Sequence, residues 1–188
     1  MKESTAERLG EKRGAFLDSL ERSLRTPYSW GGDDPVEGFD CSGIVNEALQ
    51  EVGLTPHGSD YTADGLLRLF IGRDKFVPPE AAKAGCLVFY LKGGADYGHA
   101  IATHVEAFIN GWQVLGAIGG GRPEATLERV LAAYPRMADF PRFLVQRWIN
   151  EHEAERRGAF VKRRPFGYRG GPFVIVDPFK PAPQAPEG

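Results

Sequence analysis

Cys41 stands in the run Gly38-Phe39-Asp40-Cys41-Ser42-Gly43, at the first turn of an expected helix. Free backbone N–H groups and the positive end of the helix dipole meet there. Both favour thiolate over thiol, as a cysteine nucleophile needs at neutral pH. Asp40 is placed as an N-cap for the first-turn N–H groups, and Gly43 is expected to leave room for a substrate backbone. A cysteine near a helix start is also often a small buried hydrophobe. The flanking Gly, Asp and Ser weigh toward chemistry. Cys86 opens the apolar run CLVFYL and reads as an inert core thiol.

A thiolate mechanism needs an imidazole within hydrogen-bond reach. Of the four histidines, His99 and His104 fall in the right region. His104 opens the strand HVEAFI, and a strand holds a side chain firmly. His99 lies in a Gly-rich stretch beside Tyr97 and Gly98 and would be poorly fixed. His104 is therefore the better-held candidate base, although a lone strand histidine is more often structural.

These side chains need elements to place them. Residues 5–25 read as an amphipathic helix with Phe16, Leu17, Leu20 and Leu24 on one face, ended by Pro27. A loop rich in Gly, Asp and Pro runs from Tyr28 to Phe39. The second helix starts near Asp40, with Val45, Ala48, Leu49 and Val52 as its stripe and Gly53 as its stop. A short third covers 62–70. Strands follow at 86–91, 104–109 and 112–117, the last two joined by Asn110-Gly111 as a two-residue turn. Helices are expected at 124–133 and 140–157, and strands at 159–164 and 172–177. Helices first and an antiparallel sheet afterwards make an α+β architecture. Residues 1–180 form one domain with a helical segment at about 124–157, and 181–188 a disordered Pro-rich tail.

The chain has 188 residues, 42% of them hydrophobic, and a formal net charge of −2. That supports one domain with a sizeable core and lacks the basic excess of a nucleic-acid binder. No apolar stretch is long enough for a membrane span. The charged start MKESTAERLGEKRG has no apolar core of a secretory signal. The expectation is thus a protein that is cytoplasmic when made. Scattered histidines and the absence of C-x-x-C or H-E-x-x-H spacing argue against a metal site, and no cofactor is expected. The cluster Arg156, Arg157, Lys162, Arg163 and Arg164 reads as a solvated face. Gly119-Gly120-Gly121 reads as a plain loop.

Tyr28-Ser29-Trp30-Gly31-Gly32, then G-F-D-C-S-G, closely resembles the start of NlpC-type peptidases, papain-like peptidoglycan endopeptidases. The likeness continues through IVNEALQEVGL, Ser59-Asp-Tyr-Thr-Ala and Ala84-Gly-Cys-Leu-Val-Phe-Tyr, and covers most of 26–121. The resemblance implies a papain-like fold with helices packed on an antiparallel sheet. It implies Cys41 as nucleophile, His104 as base, and Tyr28, Asp40 and Ser42 around the substrate's free amino group. Trp30 is assigned to packing. The substrate implied is the peptidoglycan stem peptide, cut between D-glutamate and the diamino acid. Ala159 to Phe166, Val176-Asp-Pro-Phe and the 114–121 phrase resemble phage-associated members, which makes phage tail proteins candidate partners and implies a protein held in the cytoplasm until assembled into a particle or released, acting at the cell wall.

Members of that family usually carry a polar residue on the returning strand to orient the base. With a two-residue turn, His104 would face Ala117 and Glu106 would face Leu115. No side chain among 115–117 accepts a hydrogen bond. Glu106 shares the His104 face by period two, but a neighbour two along the strand is awkwardly placed for the ring. The expectation is a Cys–His dyad. Its rivals are an inactive structural phage component of the same fold, and a cysteine amidase or transferase on another substrate.

Overall fold

The computed structural model describes residues 4–71, 75–94, 99–119 and 125–181. Helix α1 (Thr5–Arg22) starts with a capping box: the Ser4 hydroxyl accepts from the Glu7 N–H, and the Glu7 carboxylate accepts from the Ser4 N–H. It stops short of the expected end because the chain turns at Arg25, in the left-handed region at φ 68°. A small ribbon of β1 (Asp33–Asp34) and β2 (Gly38–Phe39) leads into α2 (Cys41–Glu51), and α3 (Ala63–Ile71) follows.

Five strands make the main sheet: β3 (Leu87–Lys92), β4 (Ile101–Phe108), β5 (Gln113–Ile118), β6 (Phe160–Pro165) and β7 (Phe173–Val176). All neighbours are antiparallel, in the order β6-β5-β4-β3-β7. The α+β expectation therefore holds. Period-two alternation divides the strands between two cores. Leu87, Phe89, Val105 and Ala107 join Phe16, Val45, Leu49, Leu66 and Phe70 from the three N-terminal helices. Cys86, Val88, Tyr90, Phe108, Val114 and Ile175 form a smaller cluster covered by Phe166 and Phe173.

Two irregularities position the site. The β3–β4 register runs Tyr90 to His104 and then Leu91 to Ala102, so Thr103 bulges out beside His104. The β4–β5 turn differs from the expected one. Ala107 pairs with Leu115, and the Ile109 N–H donates to the Gln113 carbonyl, so three residues close the hairpin. The Asn110 side chain causes this by accepting from the N–H groups of both Trp112 and Gln113. Every cross-strand partner moves by one, which sets Glu106 against Gly116 rather than Leu115.

Helices α4 (Leu127–Ala133) and α5 (Arg142–Arg157) share a third small core of Val130, Val145 and Ile149. Asn150 ties α5 to the loop before α2, donating to the Ser29 hydroxyl and the Glu37 carbonyl. The expected tail from 182 on and the glycines 120–121 lie outside the described residues. No helix among the described residues is long and apolar enough to cross a membrane.

Candidate active site

The Tyr28–Phe39 loop is pressed onto the start of α2 by glycines. A Cβ at Gly43 would come 2.0 Å from the Gly32 carbonyl oxygen, and one at Gly32 2.3 Å from that of Gly38. Gly43 therefore makes room for the protein's own loop, not for a substrate backbone as expected. Asp40 locks the contact from its N-cap position. Its Oδ1 accepts from the N–H groups of Ser42 (2.9 Å) and Gly43 (2.8 Å) and from the Ser42 hydroxyl (3.0 Å). Its Oδ2 accepts from the Gly31 N–H at 3.1 Å and keeps acceptor capacity. With the N–H groups of Ser42 and Gly43 taken, the Cys41 N–H is the first-turn donor left over.

Cys41 is half-buried and lines a cleft of about 290 Å³ together with Tyr28, Trp30, Asp40, Ser42 and His104. All five sequence-derived site residues thus meet in one place. Trp30 is not a packing residue: it lines the cleft and is 55% exposed. Tyr28 is a neutral phenol, its pKa raised by burial and then by the negative charges of Cys41 and Asp40. His99 is exposed and does not line the cleft. A larger depression beside β7, lined by Phe76, Pro78 and Phe173, holds no titratable side chain among the described residues.

His104 comes off β4 beside the bulge and is buried. Behind it lies a group that the sequence reading had set aside. Glu106 is 0% exposed, and its Oε1 is 3.3 Å from His104 Nε2. The approach is bent, so it is an ion-pair contact rather than an aligned hydrogen bond, and Nε2 has no other partner. The Tyr90 hydroxyl donates to Oε2 at 3.1 Å, and the Tyr168 hydroxyl to Oε1 at 2.7 Å. Burial alone would lower the proton affinity of His104. Interaction with Cys41 and then with Glu106 overrides it and lifts the pKa to about 9. Burial would likewise raise Glu106, but His104 and the two phenols hold it below the usual carboxylate value. The two shifts agree in placing the proton on the imidazole and the charge on the carboxylate.

The sequence contained part of this signal. An acid at a buried strand position two residues from a histidine, opposite a glycine, would have been visible with the correct turn length. Tyr168, 62 residues from Glu106, leaves no local signal. Neither does Arg169, which also lines the cleft. The basic cluster is dispersed into separate contacts: Arg156 with Glu153, Arg163 with Glu21, Lys162 with the Gly158 carbonyl, and Arg164 over the Tyr168 ring. Among the described residues no group of His, Cys, Asp and Glu is arranged to hold a metal ion.

Residues 25–128 match the model of the NlpC/P60 family. The chain is 34% identical over 95 residues to the bifunctional muramidase/DL-endopeptidase CwlT of Bacillus subtilis, spanning 50% of this chain and 26% of that protein. It is 35% identical over 111 residues to the peptidoglycan endopeptidase RipB of Mycobacterium tuberculosis, spanning 51% of this chain and 39% of that one. The murein DD-endopeptidase MepH of Escherichia coli is 34% identical over 95 residues, 50% and 31% of the two chains. The match thus covers well under half the length of each of these relatives. Among solved structures, the NlpC/p60 domain of the peptidoglycan hydrolase SagA superposes with a TM-score of 0.52 at 21% identity, covering 87% of this chain and 97% of that one. RipB of Mycobacterium tuberculosis gives 0.52 at 20% identity, covering 94% and 72%. These two likenesses show a shared fold.

Proposed function

The chain belongs to the NlpC/P60 family, and we propose that it is a cysteine endopeptidase of peptidoglycan with Cys41 as nucleophile and His104 as base. The observation that carries this reading is the shared cleft. A cysteine at a helix start and a buried imidazole from the sheet line the same cleft. The names of the relatives, each an endopeptidase, support the substrate class.

In the proposed reaction the His104 imidazolium holds the proton that Cys41 has given up, and the Cys41 thiolate forms a bond to the peptide carbonyl carbon. The Cys41 N–H faces the developing oxyanion. Collapse breaks the C–N bond as the imidazolium gives its proton to the leaving amine. Water, deprotonated by the now neutral His104, then attacks the thioester carbonyl, and breaking of the C–S bond releases the acid and regenerates the thiolate beside the imidazolium. Asp40 Oδ2, the Ser42 hydroxyl and the Tyr28 phenol form the pocket for the substrate's free amino group. The scissile bond is the one from D-glutamate to the diamino acid. The phage-like phrases at 114–121 and 159–179 support a tail-associated role with phage tail proteins as partners.

Incubating the protein with purified peptidoglycan and identifying released fragments by mass spectrometry tests this. Fragments cut after D-glutamate, absent with Cys41→Ala, are expected. No release together with a Cys41 that resists alkylation would favour an inactive particle component. Release only from an unrelated acyl donor would favour an amidase or transferase.

A further inference from the structure

Glu106 is the least expected residue in the sheet. A carboxylate fully removed from water costs several kcal/mol unless it is paired and hydrogen-bonded, and its strand neighbours Val105, Ala107 and Phe108 are all apolar. Everything around it has been arranged for an anion. From β3 comes the Tyr90 hydroxyl, from its own strand the His104 ring, and from the β6–β7 loop the Tyr168 hydroxyl. Arg169 of the same loop sits with its guanidinium carbon 5.3 Å from the Tyr90 ring centre. From β5 there is only Gly116. A Cβ there would fall 2.8 Å from Glu106 Cγ and 3.4 Å from Oε1. The residue opposite is thus a vacancy that the glutamate side chain fills.

We propose that Glu106 is the positioning residue of this site. Its carboxylate, clamped by Tyr90 and Tyr168 in the space Gly116 leaves, holds His104 by Nε2 and so presents the other ring nitrogen to Cys41. The base is oriented from within β4, and the returning strand contributes space in place of a side chain. One of the two clamps, Tyr168, lies beyond the segment that matches the family, residues 25–128, so the β6–β7 loop takes part in positioning the base. This assignment rests on the peptidase reading of Cys41 and His104.

The test is a nuclear magnetic resonance titration of the His104 ring, with kcat and KM measured on peptidoglycan, in wild type, Glu106→Gln and Tyr168→Phe. In Glu106→Gln the loss of an adjacent anion lowers the His104 midpoint by about one unit or more. The kcat falls by about 100-fold, the scale for a misplaced catalytic group, while KM stays within about twofold. Tyr168 is 39% exposed on a loop, so its phenylalanine variant retains the fold. That variant keeps the charge but loosens it, leaving the midpoint at or above that of wild type while kcat falls. An unchanged midpoint in Glu106→Gln, or an unchanged kcat in Tyr168→Phe, overturns the assignment. The titration needs no substrate. A wild type that cleaves nothing yet shows the midpoint shift would sink the peptidase reading and leave the Glu106–His104 pairing standing.

Discussion

Cys41 and Cys86 show how far burial separates two identical side chains. Cys41 lines the cleft, whereas Cys86 is fully buried with its thiol pushed up by desolvation. Iodoacetamide is expected to label Cys41 alone in the native protein, and Cys86 only after denaturation, as read by peptide mapping. Labelling of both at equal rates would contradict the structure. Cys41→Ala should abolish turnover and leave the melting temperature within about 2 °C, since one half-buried sulfur is lost. His104 adds a pH dependence. Its folded pKa, about 9, lies above the ordinary 6.5, so its stabilising contribution is complete below pH 6.5 and is lost as pH rises through 9. Melting temperature should therefore fall between those limits, and His104→Asn should flatten that slope. Cys41, His104, Tyr28, Asp40 and Ser42 were legible as lining one cleft because they lie in short local phrases. Glu106 was seen and set aside, because rigid strand geometry makes an i, i+2 partner look out of reach. The missing information was the empty space opposite.

Elements were legible where periodicity is strong, and each expected helix and strand is present within a few residues. What the sequence did not settle was how two elements meet. Asn110-Gly111 pointed to a two-residue turn, but the Asn110 side chain builds a wider one by capping two N–H groups. A single residue of turn length then decided whether a glutamate faced leucine or glycine. Gly43 is a similar case, since its neighbour is the Gly32 carbonyl, supplied by a loop that local patterning cannot place. Gly43→Ala is expected to destabilise the domain by about 2 kcal/mol, through backbone overpacking, in urea unfolding. A neutral result would mean that the loop lifts off α2 at little cost.

At the scale of the whole molecule, the chain closes on itself around the sheet. Arg13 of α1 donates both to the Ala84 carbonyl (2.8 Å) and, through Nη2, to both oxygens of Asp177, at 2.8 and 2.9 Å. That buried pair fastens the first helix to the end of the last strand. Removing one partner should be costly, so Arg13→Ala is expected to lose about 3 kcal/mol of unfolding free energy with kcat/KM unchanged at temperatures where it stays folded. The α+β class was legible from the order of helices and strands. The reach of β6 and β7 back to the site was not, because it depends on contacts between distant segments. The account turns on acylation of one sulfur. Acid-quenching the protein during digestion of peptidoglycan and mapping its mass gain by peptide mass spectrometry tests that most directly. The expected result is a stem-peptide acyl group on the fragment carrying Cys41. Fragment release with no adduct at Cys41, or with one at another residue, would contradict it.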